Sequence, residues 1–538
     1  MTHHTLSVNI RNLILAVAAL ICSVPAALAQ SYNDPMTDAL LKAYGQLLDE
    51  DPRDPETLFR RASLYYKHND YIRALDDLNT AIKYFGPDQT DERRQALEIR
   101  ANVLMAMQKY EQALADLNEL IDGDNPNFPL LYERATALYE LGRYQEAKTD
   151  FNRMLRLNPY SREATLGLAR VAVKENNLGT ANELADRAVS MTPSDPDIYI
   201  RRASVRTLMG DRSGAVDDYI TAISLDPANT PRALAELVTL SRADYPAVMA
   251  GLSNAIAKAP RNGMFYFIRG MIAQGHCNYL AAIADYDRII NENLDSYPGL
   301  NAALAECYYA LGRYDIALLN ADYAISATDN NAFYYMLKSR ILHAQNDNVG
   351  ALDAAEKALE KEPEMIDALV CKALALLGQG ESADASVALS EAAMISAEDP
   401  MIAILRGWVL DNYRNQHANA ERAWEQVLDM DFDFDNVRSL RGFALLSLGR
   451  TDQAESWMER VLNTANDYDG AVNYYAACLY SQMGQTDHAL RCMEASLEKG
   501  YADYHNWTVA SEANVNCSPL RQDPRFKQLL DKYSQLFR

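Results

Sequence analysis

The sequence predicts an all-α protein made of repeated helix pairs, an α-solenoid, and three periodic features support this prediction. Alanines recur at intervals of 34 or 35 residues, apart from one longer first step and one missing member. A small residue lies twelve positions before many of them, and a proline closes several units. A period of this length is typical of a helix-turn-helix unit. The recurring alanines are Ala74, Ala113, Ala147, Ala181, Ala215, Ala282, Ala317, Ala351, Ala385, Ala420, Ala454 and Ala489.

Each periodic position has a mechanical role in such a unit. Small residues let two helices approach closely, an aromatic residue three before the alanine fills the turn, and proline ends the second helix. The small residues are Ala62, Ala101, Ala135, Ala169, Ala203, Gly270, Ala305, Ala373, Gly442 and Ala477. The aromatic residues are Tyr71, Tyr110, Tyr144, Tyr279 and Tyr314, and the prolines are Pro159, Pro193, Pro227, Pro260 and Pro363.

Residues 1–29 have the composition of a secretory signal peptide. Arg11 precedes an apolar run from Leu13 to Cys22, and small residues at Ala27 and Ala29 favour cleavage before Gln30. An uncleaved membrane anchor is disfavoured, because the run is short and no later segment reaches the roughly 20 apolar residues that span a bilayer. We therefore expect an exported protein, in the periplasm of a Gram-negative bacterium or outside the cell.

The segments that flank the repeats, residues 30–54 and 500–538, are predicted to be caps. A solenoid needs caps because its terminal repeats would otherwise expose an apolar face. Asp523 and Pro524 are typical of a helix start near the C-terminus. The apolar stripes that we expect to cover the array are Met36, Leu40, Leu41, Tyr44, Leu47 and Leu48 at one end, and Phe526, Leu529, Leu530, Tyr533 and Phe537 at the other.

One unit, near residues 228–260, departs from the period. Glu236 lies where a small residue belongs, and either Val248 or Ala247 takes the place of the alanine, depending on the register. Pro231 and Pro246 are compatible with helix starts, where a missing N–H costs little. The pattern predicts a distorted repeat inside the array.

The stretch from Tyr132 to Pro159, YERATALYELGRYQEAKTDFNRMLRLNP, resembles the tetratricopeptide repeat with its small, small, large and proline positions. The resemblance covers roughly residues 55–499, or about thirteen units in phase. It implies a right-handed superhelix of antiparallel helix pairs whose first helices line a concave groove. The expected fold is thus an all-α, right-handed α-solenoid with terminal capping helices.

A comparison of the units with one another predicts an ion pair inside several of them. Where Arg stands thirteen before the key alanine, Asp stands three after it, and where Leu168 or Leu304 replaces the Arg, the Asp is also replaced. Arg441, which faces Trp457 in its unit, is an exception. We expect these pairs to tie two helices together, with a ligand-binding ladder of arginines as the alternative. The pairs are Arg61–Asp77, Arg100–Asp116, Arg134–Asp150, Arg202–Asp218 and Arg269–Asp285.

The resemblance also implies which residues point into the groove, namely the second, fifth, ninth and twelfth of each first helix. Aromatic and polar side chains at these positions suit an extended peptide or a partner helix. The alternative is that many of them pack between neighbouring helices. The chaperone-tail clamp of some family members is not reproduced, since Asn102 stands nearly alone. The candidate groove residues are Phe59, Tyr66, Tyr132, Tyr139, Phe267, Tyr309, Phe333, Met336, Arg340, Phe443 and Tyr474.

No motif for catalysis, cofactor binding or metal binding occurs in the sequence. HExxH, GxSxG and the phosphate-binding glycine patterns are missing, and only about 40 residues follow the repeats, too few for a catalytic domain. His276-Cys277 is the nearest approach to a base and a nucleophile, and Cys478 with Cys492 is the cysteine pair to test for a disulfide. A net charge of −23 without a basic run disfavours nucleic acid.

Three functions remain open at this point. The first is a non-catalytic scaffold or adaptor of the cell envelope, which binds a protein or peptide partner in the groove. The alternative is a binding module for a glycan or another small ligand, supported by the aromatic groove alone. The third is an enzyme whose polar site is spread over several repeats. The sequence specifies neither the partner nor the oligomeric state.

Overall fold

A computed structural model describes residues 35–121, 127–227, 231–294, 297, 299–432, 435–509 and 515–538. Regular structure in these residues is helical throughout, with no strand, so the predicted all-α fold is confirmed. The predicted signal peptide, residues 1–29, lies outside the described residues. None of the described helices combines the length and the apolar character that a bilayer crossing requires.

The chain divides into two compact units between Leu240 and Ser241. This division falls inside a helix of the irregular repeat, which the sequence had placed within one array. The helices up to that point are α1 (Pro35–Glu50), α2 (Pro55–Lys67), α3 (Tyr71–Tyr84), α4 (Thr90–Ala106), α5 (Tyr110–Leu120), α6 (Phe128–Glu140), α7 (Tyr144–Leu157), α8 (Arg162–Lys174), α9 (Leu178–Met191), α10 (Pro196–Met209), α11 (Arg212–Leu225) and α12 (Pro231–Ala243).

The second unit continues the same pairing of helices to the C-terminus. Its helices are α13 (Tyr245–Lys258), α14 (Gly263–Gly275), α15 (Tyr279–Asn291), α16 (Leu300–Ala310), α17 (Tyr314–Ala327), α18 (Ala332–Ala344), α19 (Asn348–Lys361), α20 (Ile366–Gln379), α21 (Ser382–Ile395), α22 (Pro400–Asn412), α23 (His417–Leu428), α24 (Asp435–Arg438), α25 (Leu440–Ser447), α26 (Thr451–Thr464), α27 (Ala471–Gln482), α28 (Thr486–Glu498), α29 (Tyr504–Thr508) and α30 (Pro524–Lys532). Short 3₁₀ turns, Ser518–Gln522 and Ser534–Leu536, flank α30.

The periodic alanines form the core of the helix pairs, as predicted. Each of the twelve has 0% of its surface exposed, and the small residues twelve positions earlier are buried as well. In the irregular repeat Val248, also 0% exposed, takes the alanine position, whereas Ala247 is half-buried. Pro231 begins α12 and Pro246 lies in the first turn of α13, so neither proline interrupts a helix.

In the twelve repeats that carry a key alanine, the turn has a second periodic feature that the sequence reading missed. Five residues before the key alanine the backbone adopts a positive φ, which ends the first helix and reverses the chain. Glycine or asparagine occupies most of these positions, as the left-handed region requires. Gln108 (φ 57°) and Cys277 (φ 56°) are the exceptions among the described turns.

The predicted Arg–Asp pairs are confirmed in all five repeats. In each, the Nε and Nη2 atoms of Arg donate to the two carboxylate oxygens of Asp, at 2.6 to 2.9 Å. In four of the five, Nη1 also reaches the preceding repeat, for example from Arg134 to Asn118 at 3.1 Å and from Arg202 to Asp186 at 2.8 Å. One guanidinium therefore joins three helices, which favours the structural role over a ligand ladder.

The repeats that lack the Arg–Asp pair also agree with the sequence comparison. Leu168 and Leu184, which replace one pair, pack in a common apolar cluster. The guanidinium of Arg441 lies 4.5 Å from the centre of the Trp457 ring.

The terminal segments cover the ends of the array only in part. Leu48 of α1 is buried against Leu58 and Ala81, but Met36 (69%), Leu40 (37%) and Leu47 (51%) of the expected stripe are exposed. At the C-terminus, Asp523 caps α30 and Phe526 and Phe537 are buried. All cysteines of the described chain are free, and Cys478 lies in contact with Cys517.

Candidate functional site

The first helices of successive repeats form a shared surface in each unit, which we call the first-helix face. Direct contacts between α6 and α8 and between α8 and α10 make it continuous in the first unit. The predicted groove residues divide on this face by burial. Half-buried are Phe59, Tyr66, Tyr132, Tyr309, Phe333 and Arg340, whereas Tyr139, Phe267, Met336, Phe443 and Tyr474 are buried.

On the first unit, two arginines accompany the tyrosines of this face. Nη1 of Arg201 on α10 donates to the hydroxyl of Tyr132 on α6, two repeats earlier, at 3.2 Å. Nε of Arg201 also donates to Asp197 at 2.6 Å, which fixes the guanidinium in the plane of both contacts. A single polar contact thus spans three consecutive first helices.

The second arginine lies on the intervening helix α8. The guanidinium of Arg170 stacks 4.0 Å from the ring centre of Tyr139 and donates from Nη2 to Glu140 at 2.7 Å. Burial raises the pKa of Tyr139 and of the neighbouring Glu133, because their charged forms are poorly hydrated on this face. The first-unit face therefore combines aromatic rings, two oriented cations and a desolvated carboxyl group.

On the second unit, the most buried groove residues pack between helices, as the alternative interpretation expects. Phe267 is 1% exposed and stacks on Tyr297 with 5.2 Å between ring centres. Tyr474 lies 5.0 Å from Tyr501 and 4.9 Å from Trp507, so the C-terminal segment covers it. These side chains are core residues of their repeats.

The C-terminal segment also reaches back to the first-helix face of α16, almost 200 residues earlier in the chain. His505 lies between Tyr309 and Tyr314, with Nε2 at 2.8 Å from one hydroxyl and Nδ1 at 2.7 Å from the other. Desolvation lowers the pKa of His505 to about 3, so the imidazole is neutral and one nitrogen donates while the other accepts. We call this contact of Asp503, Tyr504 and His505 with α16–α17 the seam.

A polar network lies behind the seam. The guanidinium of Arg340 is 4.8 Å from the ring centre of Tyr309, and Nε2 of Gln274 donates to Glu306 at 2.9 Å. Desolvation by burial raises the pKa of Asp503 to about 7, although the hydrogen bond from the backbone N–H of Asn506 and the charge of Arg340 oppose this shift. The seam therefore contains polar groups whose charge depends on how completely water is excluded.

Sequence reasoning found some of these groups and missed others. It named Tyr132, Tyr139, Tyr309 and Arg340, but neither Arg170 nor Arg201. A register count would have placed Arg170 on the face, because it precedes Ala181 by the same eleven residues that separate Arg340 from Ala351. The seam has no local signal in the sequence, because its partners are far apart in the chain.

The geometry offers no obvious centre for bond-making chemistry among the described residues. No group of three or more His, Cys, Asp or Glu side chains in that part of the chain is arranged to hold a metal ion. His276 contacts Ser241 at 3.0 Å, and burial raises the pKa of the Cys277 thiol well above its usual value, which leaves it a poor nucleophile.

Comparisons with known proteins agree with this architecture. The family model of the tetratricopeptide repeat matches residues 59–128 and 132–196. Tetratricopeptide repeat protein 16 of Mus musculus is 24% identical over 220 residues, 37% of this chain and 28% of that protein. Protein unc-45 homolog B of Xenopus laevis is 31% identical over 111 residues, 20% of this chain and 12% of that protein. The chain thus matches less than half the length of these curated relatives.

A comparison with solved structures relates the chain to yeast Tom70, with a TM-score of 0.36 and 17% identity over 84% of this chain and 97% of that one. The repeat geometry and the family match define an α-solenoid of helix pairs. In the matched residues, 59–128 and 132–196, these helix pairs are tetratricopeptide repeats. Stacked repeats of this class create extended surfaces of the kind that repeat proteins use for binding.

Proposed function

We propose that this protein is a non-catalytic scaffold of the cell envelope that binds a peptide segment or a partner helix on the first-helix face of its first unit. The observation that carries the proposal is the contact of Arg201 with Tyr132 across two repeats at 3.2 Å. It holds an arginine and a tyrosine in fixed positions on a continuous surface. Tyrosine and arginine are the residue types that dominate binding energy at protein interfaces.

The envelope location rests on the composition of residues 1–29, which favours export. The absence of a catalytic constellation from the sequence supports the non-catalytic role. An extended occupant fits best, because Tyr132 on α6, Arg170 on α8 and Arg201 on α10 are spread over three consecutive repeats. The first-helix face can therefore contact a partner along several turns of helix or several extended residues.

The test is crosslinking in intact cells followed by mass spectrometry of the proteins captured. Tyr132→Ala combined with Arg201→Ala removes the carrying contact and changes only half-buried side chains. The matched control is Leu157→Ala with Tyr160→Ala, two side chains that are 50% and 79% exposed at the end of a second helix. Circular dichroism of both variants verifies that helicity is unchanged.

We expect specific envelope proteins to be captured by the parent and the control and lost from the Tyr132/Arg201 variant. If the partners are still captured by the Tyr132/Arg201 variant, the first-helix face of the first unit is not their binding site. A protein that captures no partner, but whose melting temperature rises with oligosaccharides, would favour the glycan-binding alternative over the scaffold.

A further inference from the structure

The two tyrosines that contact His505 in the seam have a counterpart elsewhere in the chain, where no segment of the described chain lies between the tyrosines in this way. Tyr309 and Tyr314 stand eight and three residues before Ala317, and Tyr139 and Tyr144 stand at the same distances before Ala147. The rings of the two pairs lie 5.9 Å and 5.4 Å apart, at interplanar angles of 54° and 59°. The two pairs are therefore alike in position and in geometry.

The next repeat supplies an equivalent arginine in both cases. Arg340 lies over Tyr309 at 4.8 Å, and Arg170 lies over Tyr139 at 4.0 Å. We call these groups the second-unit triad (Tyr309, Tyr314, Arg340) and the first-unit triad (Tyr139, Tyr144, Arg170).

In the second-unit triad, the chain itself shows what the arrangement holds. The neutral imidazole of His505 bridges the two tyrosine hydroxyls at 2.8 and 2.7 Å, and its ring centre lies 4.3 Å from that of Tyr309, with the two rings tilted by 35°. Asp503, two residues before it, is attracted by the positive charge of Arg340. The histidine thus satisfies both tyrosines of the triad, and an acidic residue two positions before it lies in the electrostatic field of Arg340.

This contact is separate from the packing that holds the C-terminal segment on the last repeat. Trp507 is 0% exposed beside Tyr474, and the backbone N–H of Leu520 donates to Oγ of Ser481 at 3.0 Å. Nε2 of Gln482 donates to the carbonyl of Asn516 at 2.9 Å. These contacts hold the segment on the last repeat, and the hydrogen bonds of His505 with Tyr309 and Tyr314 are additional to them.

In the first-unit triad, one polar group is left unsatisfied. The hydroxyl of Tyr139 is buried, the residue being only 5% exposed, and no described group makes a hydrogen bond of good geometry with it. Buried hydroxyl groups are ordinarily hydrogen-bonded, and leaving one unpaired is unfavourable. Glu140 accepts from Nη2 of Arg170, so the cation is held in position above the ring.

We propose that the first-unit triad is a binding site for a partner segment that presents an acidic residue and a histidine in the order Asp-x-His. The imidazole of the partner bridges the hydroxyls of Tyr139 and Tyr144, and the carboxylate approaches Arg170. The chain's own segment Ala502–Asn506 is the intramolecular model for this recognition. The inference rests on the proposed protein-binding function and specifies the chemistry of one contact on the same face.

The test uses a synthetic fluorescent peptide with the sequence of residues 500–509, GYADYHNWTV, and the full-length protein. In the parent protein the second-unit triad is filled by His505, so saturable binding measured by fluorescence anisotropy reports the first-unit triad. We expect Tyr144→Phe with Arg170→Gln to weaken binding at least tenfold, and replacement of the peptide's histidine by alanine to do the same. Tyr160→Phe with Arg156→Gln, two exposed side chains nearby, is the matched control and should leave binding unchanged.

Failure to bind up to millimolar peptide, or binding that ignores the triad substitutions and the peptide's histidine, would overturn the inference. Both results leave the scaffold proposal standing if envelope partners are still lost from the Tyr132/Arg201 variant. The reverse result is also informative. If the peptide binds through the triad but every cellular partner still binds the Tyr132/Arg201 variant, the triad site is supported and the larger partner-binding face is contradicted. The circular dichroism and melting temperature of each variant verify that loss of binding is not loss of fold.

Discussion

At the scale of single residues, the most consistent feature is the guanidinium that joins helices within and between repeats. Arg134 is held by Asp150, which is 4% exposed, and reaches Asn118 in the preceding repeat. A carboxylate buried to this extent loses hydration that only a well-oriented partner offsets. The pair therefore fixes the positions of three helices relative to one another.

Arg134→Met should lower the free energy of unfolding by roughly 3 kcal/mol, because it leaves the carboxylate of Asp150 buried without its cation. The exchange Arg134→Asp with Asp150→Arg should restore part of this loss, and the measurement is chemical denaturation followed by circular dichroism. Arg156→Met, an exposed arginine of the same repeat, is the control and should change stability by less than about 0.5 kcal/mol. An exchanged variant no more stable than the worse single variant would contradict a pairwise interaction.

The seam contains two titratable residues with opposite pKa shifts. Asp503 has a pKa of about 7 in place of 3.8, so the closed seam keeps a proton that an open seam loses as pH rises across this interval. His505 has a pKa of about 3 in place of 6.5. As pH falls across that interval, His505 is therefore protonated in the open seam but stays neutral in the closed seam. The facing titratable and charged groups are Cys277, Tyr279, Tyr309, Tyr314, Arg340, His343, Tyr475, Tyr501 and Arg521.

Because the two effects cancel where the intervals overlap, closure of the seam in the parent should be independent of pH between about 4 and 6.5. Asp503→Asn should leave only the histidine effect, so the seam opens as pH falls from 6.5. His505→Gln should leave only the carboxyl effect, so the seam opens as pH rises from 4 to 7. Hydrogen exchange of residues 305–314, corrected for intrinsic rates, measures the opening. The same pH profile in all three proteins would refute the opposed titrations.

At the scale of helices, close approach depends on glycines placed opposite large aromatic residues. A Cβ on Gly407 in α22 would lie 2.2 Å from Nε1 of Trp424 in α23. That nitrogen donates to the carbonyl of Ile404 at 3.3 Å, so the indole has a fixed orientation and cannot move aside without losing the hydrogen bond. The two helices therefore approach as closely as the missing side chain allows.

Gly407→Ala should destabilise the protein by about 1 to 3 kcal/mol through overpacking, although alanine is the better helix former. Gly45→Ala in α1, where a Cβ would meet nothing within 4 Å, is the matched control and should gain up to about 1 kcal/mol. Trp424→Leu should recover part of the loss in the Gly407→Ala background. Thermal unfolding measures the stability of all three variants. Equal increases in stability for Gly407→Ala and Gly45→Ala would show that the Trp424 indole moves aside at little cost.

The helices and their pairing were predictable because their causes are local or recur at a fixed period. Buried alanines and Arg–Asp pairs repeat at intervals of mostly 34 or 35 residues, so a single alignment of the repeats gives the positions of all of them. The choice between Val248 and Ala247 was open to sequence reasoning, because this repeat departs from the period that sets the register elsewhere. Sequence reasoning left open which groove residues are buried. Phe267 and Tyr474 are buried because Tyr297 covers the first, and Tyr501 and Trp507 cover the second. The seam of His505 with Tyr309 is a long-range contact, which no repeat period indicates.

At the scale of the whole molecule, a repeat protein has interfaces mainly between neighbours, so its stability is distributed along the chain. The chain nevertheless divides into two compact units, residues 22–240 and 241–538, of which the described parts each contain Arg–Asp pairs of the same geometry. The second unit adds the seam, which joins α29 to α16 within that unit and therefore constrains residues far apart in sequence. Local opening is expected to be more cooperative where such a contact is present.

These differences lead to a reciprocal prediction for hydrogen exchange. Arg134→Met removes a pair of the first unit and Arg269→Met removes the equivalent pair of the second, so each should raise exchange at least tenfold in its own unit with little change in the other. The rise should also spread further along the chain for Arg269→Met, because the seam couples the early and late repeats of the second unit. Adding His505→Gln to Arg269→Met should confine the rise to the repeats next to Arg269. Exchange that increases throughout the chain for either arginine would mean that the two units unfold as one, and an unchanged spread after His505→Gln would mean that the seam carries no cooperativity.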